Sequence, residues 1–197
     1  MRTLEAERLI LRDWREDDLH DMYGFLSNQN VTIPDGSSPC KTLEECKRVL
    51  DYLVEKKQNY AIEWKENGKV IGNISLNRDV KGNECVRNLG FCLAEEYWNR
   101  GIMTEALAKV IPFAKEVSSV LSATHNRNEK SEHLLKKFGF KQVDVMKNVK
   151  RKIDSEYHDE PYYILILKHC FLSIPVKNNL LQNLYIFLLH HKHILKM

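Results

Sequence analysis

Hydrophobic positions along this chain change period repeatedly, and each change marks a new element. Arg8-Leu9-Ile10-Leu11-Arg12 reads as a short first strand. Leu19, Met22, Tyr23 and Leu26 then fall at i, i+3, i+4 and i+7, which predicts a helix from near Asp17. Pro34-Asp35-Gly36-Ser37-Ser38-Pro39 carries turn residues and predicts a loop. Thr42 and Glu45 form a capping-box pattern ahead of a second stripe at Cys46, Val49, Leu50 and Leu53. The period then drops to that of strands. Tyr60–Trp64 and Val70–Leu76 flank Asn67-Gly68, a strong hairpin signal. A turn at Lys81-Gly82-Asn83 leads into a strand at about Val86–Leu93.

Helical spacing returns at Met103, Leu107, Val110, Ile111 and Ala114, just after Gly101. Pro112 should kink or shorten this helix. Val117–Thr124 reads as a strand, and Leu134, Leu135 and Phe138 mark a helix that Gly139 ends. Strands at Phe140–Met146 and Tyr162–Leu167 complete the order β-α-α-β-β-β-α-β-α-β-β. The predicted class is α+β, a sheet flanked by helices.

The last stretch differs. Pro161 to Met197 holds no Asp or Glu. We expect a domain over 1–168 and an appendage over 169–197, since the sheet is complete by Leu167. Leu181, Leu184, Tyr185 and Leu188 share one helical face there, which suits a dimerisation arm, a membrane-surface helix or a segment outside the domain.

Composition narrows the classes. A chain of 197 residues, 43% apolar and 29% charged, suits a globular domain. A net charge of +3 is too small to argue for nucleic acid. The dense basic run Lys147, Lys150, Arg151 and Lys152 is followed at once by Asp154, Glu156, Asp159 and Glu160. Five cysteines without CxxC spacing argue against a disulfide framework and a zinc site. The His190-His191-Lys192-His193 cluster lacks a fitting partner set, so no metal is expected. The charged opening and the lack of a run of about 20 apolar residues predict a cytoplasmic chain without a membrane span.

Chemistry concentrates in two strand-to-helix junctions. At Glu96-Tyr97-Trp98-Asn99-Arg100-Gly101-Ile102-Met103-Thr104-Glu105-Ala106, the first amides of the helix have no intrahelical acceptor and carry the positive end of its dipole. Such a start can take an anion. Gly101 would let a phosphate approach the backbone, and Arg100 adds charge. A strand, a glycine turn and a helix also make an ordinary connection. In the second junction Asn128 is placed to cap a helix whose first turn holds Ser131.

Together, in this order and spacing, the junctions resemble the GNAT acetyltransferase superfamily, and within it the Rim-type branch that acetylates N-termini of ribosomal proteins. The wording aromatic-Trp-x-x-Gly-x-x-Thr-Glu-Ala stands here as Tyr97, Trp98, Gly101, Thr104, Glu105 and Ala106. Asn-x-x-Ser ending in Gly-Phe stands as Asn128, Ser131, Gly139 and Phe140. The likeness begins at Glu7-Arg8-Leu9-Ile10-Leu11-Arg12 and leaves out the appendage.

The resemblance implies a mainly antiparallel mixed sheet whose central strands splay between Leu89–Leu93 and Val120–Thr124. Acetyl-CoA would lie there, its pantetheine arm along Phe91, Cys92 and Leu93. Its diphosphate would sit on Asn99, Arg100, Gly101, Ile102, Met103 and Thr104, and Asn128 and Ser131 would touch the arm. Ser131 matches a serine near the sulfur. Two departures stand out. Met103 occupies a position where many relatives have Gly or Ala, and Leu135 stands where many superfamily members have a tyrosine used as general acid, although leucine cannot donate a proton.

The implied reaction moves acetyl directly from the thioester to a neutral primary amine. An α-amine titrates about 2.5 units below lysine, a difference worth about 3.4 kcal/mol of deprotonation. Glu105, through water, and His125 are candidate bases, and Ser131 or a water is the candidate acid. Their bland alternatives are a favourable charge near a helix start, a polar residue at a strand end and a first-turn residue. Strand amides near Phe91–Leu93 would polarise the carbonyl. The acceptor is open among a protein N-terminus, a small amine such as an antibiotic or polyamine, and a lysine. A module that binds acetyl-CoA without turnover is the alternative from another class. Either a monomer or a homodimer is compatible.

Overall fold

The computed structural model describes residues 1–79, 83–124, 128–150 and 156–167. His125, most of the Lys81–Asn83 turn, Arg151, Lys152 and the expected appendage at 169–197 lie outside the described residues.

Eight strands form one mixed sheet in the order β1-β2-β3-β4-β5-β6-β8-β7. They are β1 (Leu4–Glu5), β2 (Leu9–Arg12), β3 (Asn59–Trp64), β4 (Val70–Arg78), β5 (Val86–Leu93), β6 (Val120–Thr124), β7 (Lys141–Lys150) and β8 (Tyr157–Ile166). Neighbours are antiparallel except β5 and β6, which run parallel. Among the described residues five α-helices accompany them: α1 (Leu19–Leu26), α2 (Gln29–Asp35), α3 (Leu43–Lys56), α4 (Ile102–Val117) and α5 (Glu129–Lys137). Among the described residues, no helix is long and apolar enough to cross a membrane.

Alternation on the strands separates two cores. One face carries Leu9, Leu11, Ile62, Ile74, Leu89 and Leu121 against Ala106, Leu107 and Val110 of α4 and Leu135 of α5. The other carries Trp14 and Ala61 against Met22, Phe25, Cys46 and Leu50 of α1 and α3. Leu9, Leu11, Ile62 and Leu107 are wholly buried, each worth about 1.5–3 kcal/mol of transfer.

Local signals place most elements. Thr42 Oγ1 accepts from the Glu45 amide at 3.1 Å, while Glu45 reaches back to the Lys41 amide at 2.8 Å, one residue before the box's usual donor. Gly68, at φ 71°, makes the β3–β4 turn. Val49 is an exception to its stripe: it is 39% exposed on the outer side of α3.

Four expectations are corrected. The strand expected from Val117 begins only at Val120, because Val117 still belongs to α4. The loop expected from Pro34 begins only at Gly36, because Asn28 caps α2 through its side chain and Gly36 closes it in the left-handed region. Pro112 does not end α4, which runs on to Val117. Pro112 and Ala108, whose carbonyl loses its amide partner, are both exposed, so water can serve that carbonyl. Strands β7 and β8 extend well beyond Phe140–Met146 and Tyr162–Leu167.

Candidate active site

β5 and β6 pair through Val86–Val120, Arg87–Leu121 and Asn88–Ser122, and beyond Asn88 they diverge. From there β6 follows β8, with Ala123 opposite Tyr163, while β5 follows β4, with Phe91 opposite Ile74. An open cavity of about 1160 Å³ occupies the divergence. The splay thus falls where the resemblance puts it.

Ten of the expected binding residues line this cavity: Phe91, Cys92 and Leu93 on β5; Asn99, Gly101, Ile102, Met103 and Thr104 at the start of α4; Asn128 and Ser131 at the start of α5. Two strand-to-helix junctions, distant in sequence, therefore face one another across a slot. Arg100 and Glu105 are not among the lining residues.

The turn before α4 is tightly built. Asn99 and Gly101 both adopt left-handed backbone, at φ 59° and 72°. A side chain at Gly101 would be strained by that angle, although the space beside it is open, with Arg8 Nη2 the nearest atom at 3.9 Å. Glycine is thus set here by the backbone angle and not by crowding. No side chain caps α4 at Gly101, and the residues of its first turn, Ile102, Met103 and Thr104, line the cavity. By contrast, Asn128 Oδ1 accepts from the Ser131 amide at 3.1 Å, so α5 carries its own cap. Met103 packs partly against the core while lining the cavity, which is how the turn accommodates it. Leu135 is 1% exposed and apolar, so it offers no proton here.

Several features carried no sequence signal. Trp98 Nε1 donates to the Leu93 carbonyl at 2.8 Å, tying the turn to the end of β5. Lys130 Nζ lies 4.5 Å from the Trp98 ring centroid, so the two junctions touch through a cation–π contact. Helix α2 walls the cavity through Asn30, Val31 and Ile33. It is held there by Glu95, which accepts from Asn28 Nδ2 at 2.7 Å and Asn30 Nδ2 at 3.0 Å. Those bonds, from Asn30 and then Asn28, lower the Glu95 pKa. Ser75, Asn77 and Asn88 form a neutral polar floor. Gly90 makes room for it, since a Cβ there would meet Ser75 Oγ at 2.7 Å. Near this floor Tyr162 has a raised pKa, through burial first and the nearby Asp79 charge, opposed by its bond with Ser122.

Glu105 is engaged away from the lining. Its carboxylate accepts from the Arg8 amide and from Arg8 Nε, each at 2.7 Å. Among the described residues no cluster of three His, Cys, Asp or Glu side chains is assembled.

Comparison with known proteins agrees with this architecture. The profile of the Acetyltransferase (GNAT) domain family matches residues 8–141. A Bacillus subtilis (strain 168) protein named as an N-acetyltransferase, YoaA, is 24% identical, over 82% of this chain and 96% of its own. The ribosomal-protein-S5-alanine acetyltransferase of Vibrio fischeri shares the fold with TM-score 0.70 and 21% identity, covering 85% of this chain and 98% of its own. The spermidine N-acetyltransferase of Vibrio cholerae, solved with CoA and spermine, does so with TM-score 0.68 and 15% identity, covering 81% and 96%. The chain belongs to the GNAT acetyltransferase family and is an acyltransferase. That family uses acetyl-CoA and acts on amine acceptors.

Proposed function

We propose that the chain transfers acetyl from acetyl-CoA to a primary α-amine, such as a protein N-terminus, by direct attack. The observation that carries this is the divergence of β5 from β6 beside a helix start with no side-chain cap. The fit to the cosubstrate is physical. Amides of the Gly101–Thr104 turn can hold a diphosphate, and the parted strand edge can hydrogen-bond an amide-bearing arm.

The cavity floor favours an α-amine over a polycation. Among its described lining residues Glu129 is the single carboxylate, and the floor is Ser75, Asn77 and Asn88. A polyamine with several ammonium groups would need more acids around it. Neutral amides and a hydroxyl instead suit the peptide groups behind an N-terminal amine. In the reaction the amine nitrogen bonds to the acetyl carbon, the C–S bond breaks, the ammonium sheds its proton and the thiolate gains one. Amides of Phe91–Leu93 would stabilise the developing oxyanion. Ser131, on the cavity wall, would protonate the sulfur.

The test measures thiol release from acetyl-CoA with short peptides bearing free α-amines, with spermidine and with α-blocked lysine. Peptides should turn over fastest. Preference for spermidine would overturn the acceptor assignment. Gly101→Glu, which sets bulk and a negative charge in the turn, should abolish CoA binding by calorimetry. Normal binding by that variant would remove the turn from the cofactor site.

A further inference from the structure

Glu105 lies one turn inside α4, so its negative charge stands close to the place proposed for the diphosphate. A carboxylate there favours the helix but repels a second anion at the same end. Arg8, 97 residues away in sequence, answers that charge. Its amide and its Nε both donate to Glu105 at 2.7 Å, and its Nη1 donates to the Arg100 carbonyl at 3.2 Å.

Arg8 is itself anchored. The Lys65 amide donates to its carbonyl at 3.0 Å, fixing it to the end of β3. Its guanidinium lies 5.7 Å from the Trp64 ring centroid, and Trp64 in turn lies 5.6 Å from Tyr97, where the turn begins. The turn is thus held at Tyr97, Arg100 and Glu105 by Trp64 and Arg8. Asn99, a non-glycine residue in the left-handed region inside this turn, adds a backbone cost that such contacts help to offset.

We propose that Arg8 and Glu105 are positioning residues for the cofactor: Arg8 neutralises Glu105 and pins the Arg100 carbonyl, which aims the α4 amides into the slot without a repelling charge behind them. This rests on the diphosphate assignment above. It also gives Glu105 a role in the turn in place of a base.

The experiment uses the full chain with Arg8→Gln, Glu105→Gln, the double variant and Gly101→Glu. It reads the CoA Kd by calorimetry, kcat and the acetyl-CoA KM by thiol release, and Tm. Arg8→Gln should raise Kd and KM about tenfold, with kcat within about twofold. The double variant should bind about fivefold tighter than Arg8→Gln, because the orphaned carboxylate is gone, even though its Tm is no higher. A merely structural contact would give no such recovery. Unchanged KM in Arg8→Gln, or a double variant no tighter than the single, overturns the proposal. Should Arg8→Gln not fold, Glu105→Gln, being isosteric, decides: kcat within about twofold supports it, whereas a fall of about a hundredfold or more marks a base and overturns it. If Gly101→Glu binds CoA normally, the diphosphate assignment itself fails. If it loses CoA while Arg8→Gln keeps it, the positioning role alone fails.

Discussion

Arg12 shows how a charged side chain can sit inside this fold, and Asp18 is the price of it. Arg12 and Asp18 are each 5% exposed. Nη1 and Nη2 of Arg12 donate to the two Asp18 oxygens at 2.8 and 2.7 Å, and Nε donates to Glu63. The Asp18 bond leads the causes that raise the Arg12 pKa, against its burial. Asp18 also accepts from the Arg15 amide at 2.8 Å, closing the turn before α1. Asp18→Ala leaves a buried guanidinium short of its main partner, so it should destabilise the fold by about 3–5 kcal/mol. Urea unfolding checks this, and a loss under about 1 kcal/mol would separate the pair from stability. No local rule reveals the pair, because Arg12 ends a strand and Asp18, six residues on, precedes a helix. At the site the converse holds. Gly101, Asn128 and Ser131 were legible because turn and cap chemistry tie residue type to backbone position. Arg8 was not, because its partner lies 97 residues on.

Elements were readable where one local rule dominated. The Asn67-Gly68 turn and the α3 cap fall where their residue types demand, and β5 spans the expected Val86–Leu93. Helix α2 was hidden because Pro34 lies inside it, although Asn28 and Gly36 mark its two ends. The distal parts of β7 and β8 were hidden by charge. Lys147 there pairs with Asp159 across the two strands at 2.6 Å, an exposed cross-strand contact at the sheet edge. Helix α5 belongs with the readable elements, and its first turn carries a test of chemistry. Asn128 caps it through the Ser131 amide, a bond that does not involve the Ser131 hydroxyl, and Ser131 lines the cavity. Ser131→Ala keeps the cap, so CoA Kd should stay within about twofold while kcat falls at least about tenfold. Stopped thiol-release assays and calorimetry separate the two. An unchanged kcat would take Ser131 out of the proton transfer.

At the scale of the whole molecule, the site exists because one pair of strands parts. β5 remains with β4 and β6 with β8, so the slot forms without a long loop on either side. Its two walls meet through Trp98 and Lys130, and α2 closes one flank by its bonds to Glu95. On the proposed reading the sheet sets the reactants' separation, and the amine's own acidity would decide how fast it reacts. An ammonium has no lone pair, so below its pKa the reactive fraction falls tenfold per pH unit. For an α-amine this slope should end at about 7.7–8.0, whereas lysine would keep gaining to about 10.4. With a peptide acceptor, kcat/KM measured from pH 6 to 9.5 should therefore rise steeply and level off near pH 8. A rise that continues beyond pH 9 with the preferred acceptor would mean that a more basic amine is the group acetylated, and would replace the N-terminal assignment with a lysine or polyamine one.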